Sequence, residues 1–161
     1  MRSIPAYALA VATLVTGCAT QPYVIQNPFD ANEAAWSQQS GNALVKGQAF
    51  LKTRGGDVKT CAGNPVTIVP KTRRSTEMQA AFERGVNNFA NAEVRPGFGH
   101  TTRCDAQGNF TFANLPAGDW YVRTAVVWEA PGKYVSFPQG GVVTGSVTTH
   151  PGQTSDLIVT R

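Results

Sequence analysis

The sequence lacks the short motifs by which many enzymes are recognised. Its 161 residues contain no Gly-x-Ser-x-Gly, His-Glu-x-x-His or phosphate-loop pattern, which excludes the hydrolases, zinc proteases and nucleotide-binding enzymes that depend on them. The ten acidic residues are scattered over turn-like segments and form no pair that could act as acid and base. We therefore expect a protein that is not an enzyme and holds no cofactor.

Runs of positive charge are also absent. The chain has 14 Lys and Arg residues and a formal net charge of +4, but Arg73 and Arg74 are its only adjacent basic pair. Scattered basic residues are typical of a solvated surface, so no nucleic-acid partner is expected. The sequence has no internal repeat and no low-complexity tract, and its length suits one domain.

No apolar run is long enough to span a bilayer as a mature helix. Residues 4–15 form a mostly apolar run behind Arg2, which suits a secretory signal. The sequence Val15-Thr16-Gly17-Cys18 resembles the lipobox of bacterial lipoproteins. This resemblance implies that residues 1–17 are removed and that Cys18 carries diacylglycerol and an N-acyl chain, a stable anchor. The alternative is an ordinary signal peptide with a chance cysteine.

The lipobox resemblance also implies a location. A lipid on Cys18 would attach the protein to a membrane of the cell envelope. Because Ala19 and not Asp follows the cysteine, we expect the outer membrane of a Gram-negative bacterium, with the protein facing the periplasm. Residues 18–42 are predicted to be a lipidated tether, with a short helix that Asp30 caps and that ends near Trp36.

Cysteine is scarce, with three residues in the chain. If Cys18 carries lipid, Cys61 and Cys104 remain as an even pair in an oxidising compartment, which predicts a disulfide. There is no Cys-x-x-Cys, and His100 and His150 are not spaced as ligands to either cysteine, so no metal site is expected. The disulfide would close a loop of about 43 residues and stabilise the fold by about 3–4 kcal/mol.

Residues 43–161 read as short strands punctuated by glycine and proline, the pattern of an all-β sandwich. Strands are expected at residues 43–51, 58–61, 66–69, 100 onward, 109–113, 120–128, 134–137, 142–149 and 155–159. Gln139-Gly140-Gly141 is predicted to be a turn between two of them.

One helical insert, at about residues 75–90, interrupts the strands. Met78, Phe82, Val86 and Phe89 fall on one helical stripe. A capping box formed by Thr76 and Gln79 is expected at its start.

The stretch CDAQGNFTFANLPAGDWYV, residues 104–122, resembles the carboxypeptidase regulatory-like domain, a transthyretin-like sandwich. Its matching pattern is Asp-x-x-Gly-x-Phe-x-Phe-x-x-Leu-Pro-x-Gly-x-Trp-x-Val, and residues 45–49 and 65–70 match the family's first two strands. The resemblance implies a Greek-key sandwich over residues 43–161 and a hairpin turn from Asp105 to Gly108. The family's bacterial members are mostly non-catalytic accessory modules. The helical insert departs from the compact family pattern.

The leading hypothesis is a non-catalytic cell-envelope lipoprotein that acts in binding or assembly. Its expected partners are the membrane, through Cys18, and an envelope protein or a cell-wall glycan. Trp36, Trp128 and Tyr134 are the candidate binding surface. One alternative is a subunit of an envelope or secretion machine. Another is a hydrolase that uses the His100 region, which would need a carboxylate within reach.

Overall fold

Alternating apolar residues build two four-stranded sheets that face each other. The computed structural model describes residues 21–92 and 97–161. The strands are β1 Ala43–Lys52, β2 Val58–Thr60, β3 Pro65–Pro70, β4 His100–Arg103, β5 Asn109–Leu115, β6 Gly118–Pro131, β7 Ser136–Thr149 and β8 Thr154–Val159. The prediction of an all-β sandwich is confirmed.

The first sheet is built around β1, and the second has two interior strands, β3 and β6. In the first sheet, β1 pairs antiparallel with β2 and β5 and parallel with β8. In the second, the strand order is β4-β3-β6-β7, with every pair antiparallel. The core between the sheets is centred on Trp120, which is fully buried. Its indole N–H donates to the hydroxyl of Thr149 at 3.0 Å, so the buried polar atom is satisfied.

The 104–122 motif contains two of the connections that cross from one sheet to the other, β4 to β5 and β5 to β6. One Asp105 carboxylate oxygen accepts from the backbone N–H groups of Gln107 at 2.9 Å and Asn109 at 2.8 Å. The hydrogen bond from the Asn109 side chain, with these backbone bonds, holds the pKa of Asp105 below its ordinary value. The predicted turn is present, but it is not a hairpin: β4 belongs to the second sheet and β5 to the first. The family pattern marks chain reversals and does not say which sheet each strand joins.

The predicted disulfide between Cys61 and Cys104 is confirmed, with Cα atoms 5.8 Å apart. Cys61 follows β2 in the first sheet, and Cys104 follows β4 in the second. The bond therefore ties the two sheets together. For a sequence separation of 43, the loop-entropy model gives about 4 kcal/mol of stabilisation.

The helical insert is shorter than predicted and begins earlier. Helix α2 spans Arg73–Glu83, and its capping box is formed by Thr72 and Ser75, not by Thr76 and Gln79. The predicted extension to residue 90 is wrong because Gly85 adopts φ +82°, a left-handed conformation that ends helices. Phe89 lies beyond the helix but still contacts Phe82, with ring centroids 5.0 Å apart.

The predicted turn at Gln139-Gly140-Gly141 is also wrong. β7 runs without a break through both glycines, and β6 pairs with it from Gly118 opposite Thr149 to Pro131 opposite Ser136. The chain reverses at residues 132–135, where the N–H of Gly132 donates to the carbonyl of Val135 at 2.9 Å. Both glycines keep their places in the ladder with positive φ, +101° at Gly140 and +150° at Gly141, which glycine adopts readily.

Much of the predicted tether is packed on the domain. As predicted, Asp30 caps a short helix, α1 Ala31–Ala34, which continues as a 3-10 turn at Ala35–Gln38. Upstream, Ile25 is buried and Tyr23 forms an isolated bridge with Phe89. Cys18 and the signal sequence lie outside the described residues. None of the described helices is long and apolar enough to cross a membrane.

Glu77 of α2 holds this N-terminal segment in place. Its carboxylate accepts from the Tyr23 hydroxyl at 3.0 Å and from the backbone N–H groups of Gln26 at 2.7 Å and Asn27 at 2.8 Å. The Asn27 side-chain amide donates a further bond of 2.6 Å. These donors, the Gln26 N–H first among them, lower the pKa of Glu77 from 4.5 to about 2.

The Glu77 contacts make stability depend on pH. Because the folded pKa is the lower one, the stabilisation is full above pH 4.5 and is lost as the pH falls towards 2. We expect Glu77→Gln to have a lower Tm than wild type at pH 7 and the gap to narrow between pH 4.5 and pH 2. Thermal unfolding followed by circular dichroism measures this, with the exposed Glu129→Gln as control. A gap that is constant down to pH 2 would contradict the carboxylate as its source.

Candidate functional site

The β6–β7 hairpin extends beyond the body of the sandwich. The neighbouring strand β3 pairs with β6 only as far as Val66 opposite Thr124. From Ala125 opposite Val142 to Pro131 opposite Ser136, β6 pairs with β7 and with no other strand among the described residues. This half of the hairpin, residues 125–142, is called the overhang below.

One face of the overhang continues the surface that forms the core. Trp128 is opposite Gln139, and Ala130 is opposite Phe137. Since side chains alternate along a strand, these four share the face of the buried Val126. Trp128 is half-buried and packs against the core, whereas Phe137 is 54% exposed. The apolar face that forms the core therefore continues along the hairpin as an aromatic surface that is exposed to solvent.

An open cleft of about 710 Å³ lies between this face and the turn that joins β1 to β2. The overhang contributes Trp128, Ala130, Gln139 and Gly140, residues 51–55 form the opposite wall, and Arg161 completes the lining. The volume falls within the roughly 300–1,000 Å³ typical of small-ligand sites.

Gly140 keeps the edge of the Trp128 ring uncovered. Its φ is +101°, and a Cβ atom there would lie 2.0 Å from the Val126 carbonyl oxygen and 2.9 Å from Cζ3 of Trp128. No other residue fits this position without a shift of the backbone or the indole. The carbonyl of Gly140 accepts a hydrogen bond of 3.2 Å from the guanidinium of Arg161, which fixes that side chain at the cleft.

The polar groups of the cleft are mainly donors. Lys52, Arg54 and Arg161 carry positive charge and are exposed, Gln139 adds an amide, and no acidic side chain is among the lining residues. An aromatic face beside convergent donors can hold a ring that is apolar on its faces and carries hydroxyl or acidic groups at its edge.

The structure does not bring the three predicted aromatics together. The ring of Trp36 packs edge-on to Trp120, with centroids 4.8 Å apart, and lies against Gly118. Ten residues of extended strand separate Gly118 from Trp128, which corresponds to about 33 Å. Tyr134 is 86% exposed at the hairpin turn, with the ammonium of Lys133 5.3 Å from its ring centroid. Trp128 is the one of the three that lines the cleft.

His100 has no catalytic companion in the described part of the chain. It is exposed on β4, and its ring centroid is 6.0 Å from that of Trp120. Within residues 21–92 and 97–161, no hydrogen bond or ion pair joins it to an acidic side chain. The same residues contain no group of three or more His, Cys, Asp or Glu that could hold a metal ion.

Sequence reasoning missed Phe137, Gln139, Gly140 and Arg161. The turn wrongly predicted at Gly140-Gly141 divided β7 into two strands, so the register between β6 and β7 was not predicted. The usable signal was Pro131-Gly132: two equal strand arms counted from that turn place Phe137 and Gln139 opposite Ala130 and Trp128.

Comparison with known proteins extends the fold assignment. No protein-family model and no curated protein matches the sequence. The fold is similar to a crystal structure of a Pseudomonas aeruginosa protein described provisionally as a carbohydrate binding protein, with a TM-score of 0.68 and 23% identity. The match covers 84% of this chain and 99% of that one. It shows a shared β-sandwich fold.

Gly140 can be tested against a second glycine of similar backbone conformation. Gly56 has φ +92°, and a Cβ there would meet nothing within 4 Å, so Gly56→Ala reports backbone strain alone. We expect Gly140→Ala to reduce the free energy of unfolding by about 1–3 kcal/mol more than Gly56→Ala does, because the added methyl group overpacks against Val126 and Trp128. Urea unfolding measures both variants. Equal losses would show that the Trp128 and Val126 contacts do not constrain this position.

Proposed function

We propose that the protein is a lipid-anchored, non-catalytic module of the cell envelope that binds a glycan in the Trp128 cleft. The observation that carries the proposal is the half-buried indole of Trp128, which packs on the core, has one edge left uncovered by Gly140 and lines an open cleft with donors at its rim. The carbohydrate-binding description of the structural neighbour supports the same ligand class.

A glycan suits this cleft for two physical reasons. Pyranose rings have apolar C–H faces that stack on aromatic side chains, and their edges carry hydroxyl groups that accept from Gln, Lys and Arg. Because Trp128 already packs against the core, little side-chain freedom is lost when a ring stacks on it.

The anchor and the family assignment rest on the sequence resemblances. The lipobox at residues 15–18 supports lipid on Cys18 and an outer-membrane location facing the periplasm. The pattern in residues 104–122 supports membership of the carboxypeptidase regulatory-like family, whose bacterial members are mostly accessory modules. Both accord with a module that presents a binding cleft and performs no reaction.

The glycan site is tested with a Trp128→Ala variant. We expect wild-type protein to bind members of an array of neutral and acidic oligosaccharides, and Trp128→Ala to lose at least about tenfold in affinity through the missing stacking surface. Titration calorimetry on the bound oligosaccharides measures the loss. Val127→Ala is the matched control. Val127 directly precedes Trp128 on β6, is 52% exposed and faces away from the cleft. Equal loss in both variants, or no binding by wild type, would contradict the proposal.

The anchor is tested on the full-length protein expressed in a Gram-negative host. Mass spectrometry should find a mature chain that starts at Cys18 with added acyl groups, whereas Cys18→Ser should leave the chain without lipid and outside the membrane fraction. A wild-type chain with an unmodified Cys18 would contradict the anchor.

Cross-linked pulldown of the wild-type and Cys18→Ser proteins tests the assembly alternative, which the exposed Phe137, Val135 and Tyr134 of the overhang favour. A defined set of envelope proteins lost in Cys18→Ser would support that alternative.

A further inference from the structure

The cleft carries positive charge that no side chain of the described structure neutralises. Within residues 21–92 and 97–161, the ion pairs are Lys59 with Asp57 and Arg73 with Asp30 and Glu33. Lys52, Arg54 and Arg161 are in none of them. The carboxylate of Asp57, which lies in the same turn as Arg54, pairs with the ammonium of Lys59 at 3.9 Å.

The two guanidinium groups are suited to an anionic group. A guanidinium has five N–H donors in a planar fork that matches carboxylate and phosphate oxygens. One nitrogen of the Arg161 guanidinium donates to the Gly140 carbonyl. This hydrogen bond holds the guanidinium beside Trp128 and leaves its other N–H donors available. Arg54 and Lys52 come from the facing wall, so the charges lie on two sides of the cleft.

The pattern differs from a general basic surface. The charges lie around the cleft in which the aromatic face of the overhang meets a facing wall, and the lining includes no carboxylate side chain. Clefts lined by charge of one sign concentrate the field and attract ligands of opposite charge.

We infer that the glycan bound in the Trp128 cleft contains acidic sugar residues, whose ring stacks on Trp128 and whose carboxylate or phosphate contacts Arg54 and Arg161. The inference rests on the proposed glycan-binding function and narrows its ligand class. A neutral sugar would leave the guanidinium groups without a counter-charge, whereas an acidic sugar uses the stacking surface and the charges together.

The test compares ligands that differ only in charge. The probes are trimers of glucuronic, mannuronic and galacturonic acid, each beside its methyl ester, and mannose 6-phosphate beside mannose. We expect an acidic probe to bind at least about tenfold more tightly than its neutral partner, as a charge-assisted hydrogen bond predicts. Affinity for the acidic probe should fall between 50 and 500 mM salt, while affinity for the neutral partner should stay nearly constant.

Matched variants separate local contacts from net charge. Arg54→Gln should lower affinity for the acidic probe by about tenfold and leave the neutral partner unaffected. Arg84→Gln removes the same charge from an exposed residue at the end of α2 and should change neither. Circular dichroism confirms that each variant is folded.

The possible outcomes separate the inference of an acidic sugar ligand from the proposed glycan-binding function on which it rests. Neutral sugars that bind as tightly as acidic ones through Trp128 would overturn the acidic ligand class and leave glycan binding intact. Equal losses in Arg54→Gln and Arg84→Gln would overturn the assigned contact, since binding would then follow net charge. If no probe of either kind binds, both the inference and the proposed function are wrong.

Discussion

The continuous pairing of β6 with β7 is the interaction on which the rest of the structure depends. Over its first half, Trp120 and Val122 enter the core, and Thr149 on the partner strand satisfies the buried indole. Over its second half, the same face leaves the core and becomes the floor of the cleft. One ladder therefore sets both the packing of the domain and the position of Trp128.

The other wall of the cleft is held by separate constraints. It is the end of β1 and its turn to β2, and β1 is the strand that β2, β5 and β8 all pair with. The Cys61–Cys104 bond ties the end of β2 to the opposite sheet. One wall is thus anchored in the first sheet, and the other is formed by a two-stranded extension of the second.

Much of the sandwich follows from alternation and turn chemistry. The burial of Phe110, Phe112 and Leu115 was readable from the sequence because an inward face selects apolar residues. The cleft could not be predicted from the sequence because it depends on register: Gly140 is of a residue type that favours turns, yet it lies inside β7, opposite Val127. Long-range contacts were also hidden, as when Glu77 and the N-terminal segment meet across fifty residues. Helix α2 was found from its stripe, but its end was set by Gly85 alone.

The overhang leaves the length of the hairpin independent of the core. Past Thr124, β7 is the one strand in the described part of the chain that pairs with β6, so residues can be added or removed at the tip without disturbing the pairs that bury Trp120. A change of two residues in each arm preserves which side chains face the cleft. Related chains could therefore diverge in what they hold by lengthening or trimming one two-stranded arm, while the folded body stays the same. In such a lineage, specificity and stability would evolve as nearly separate traits.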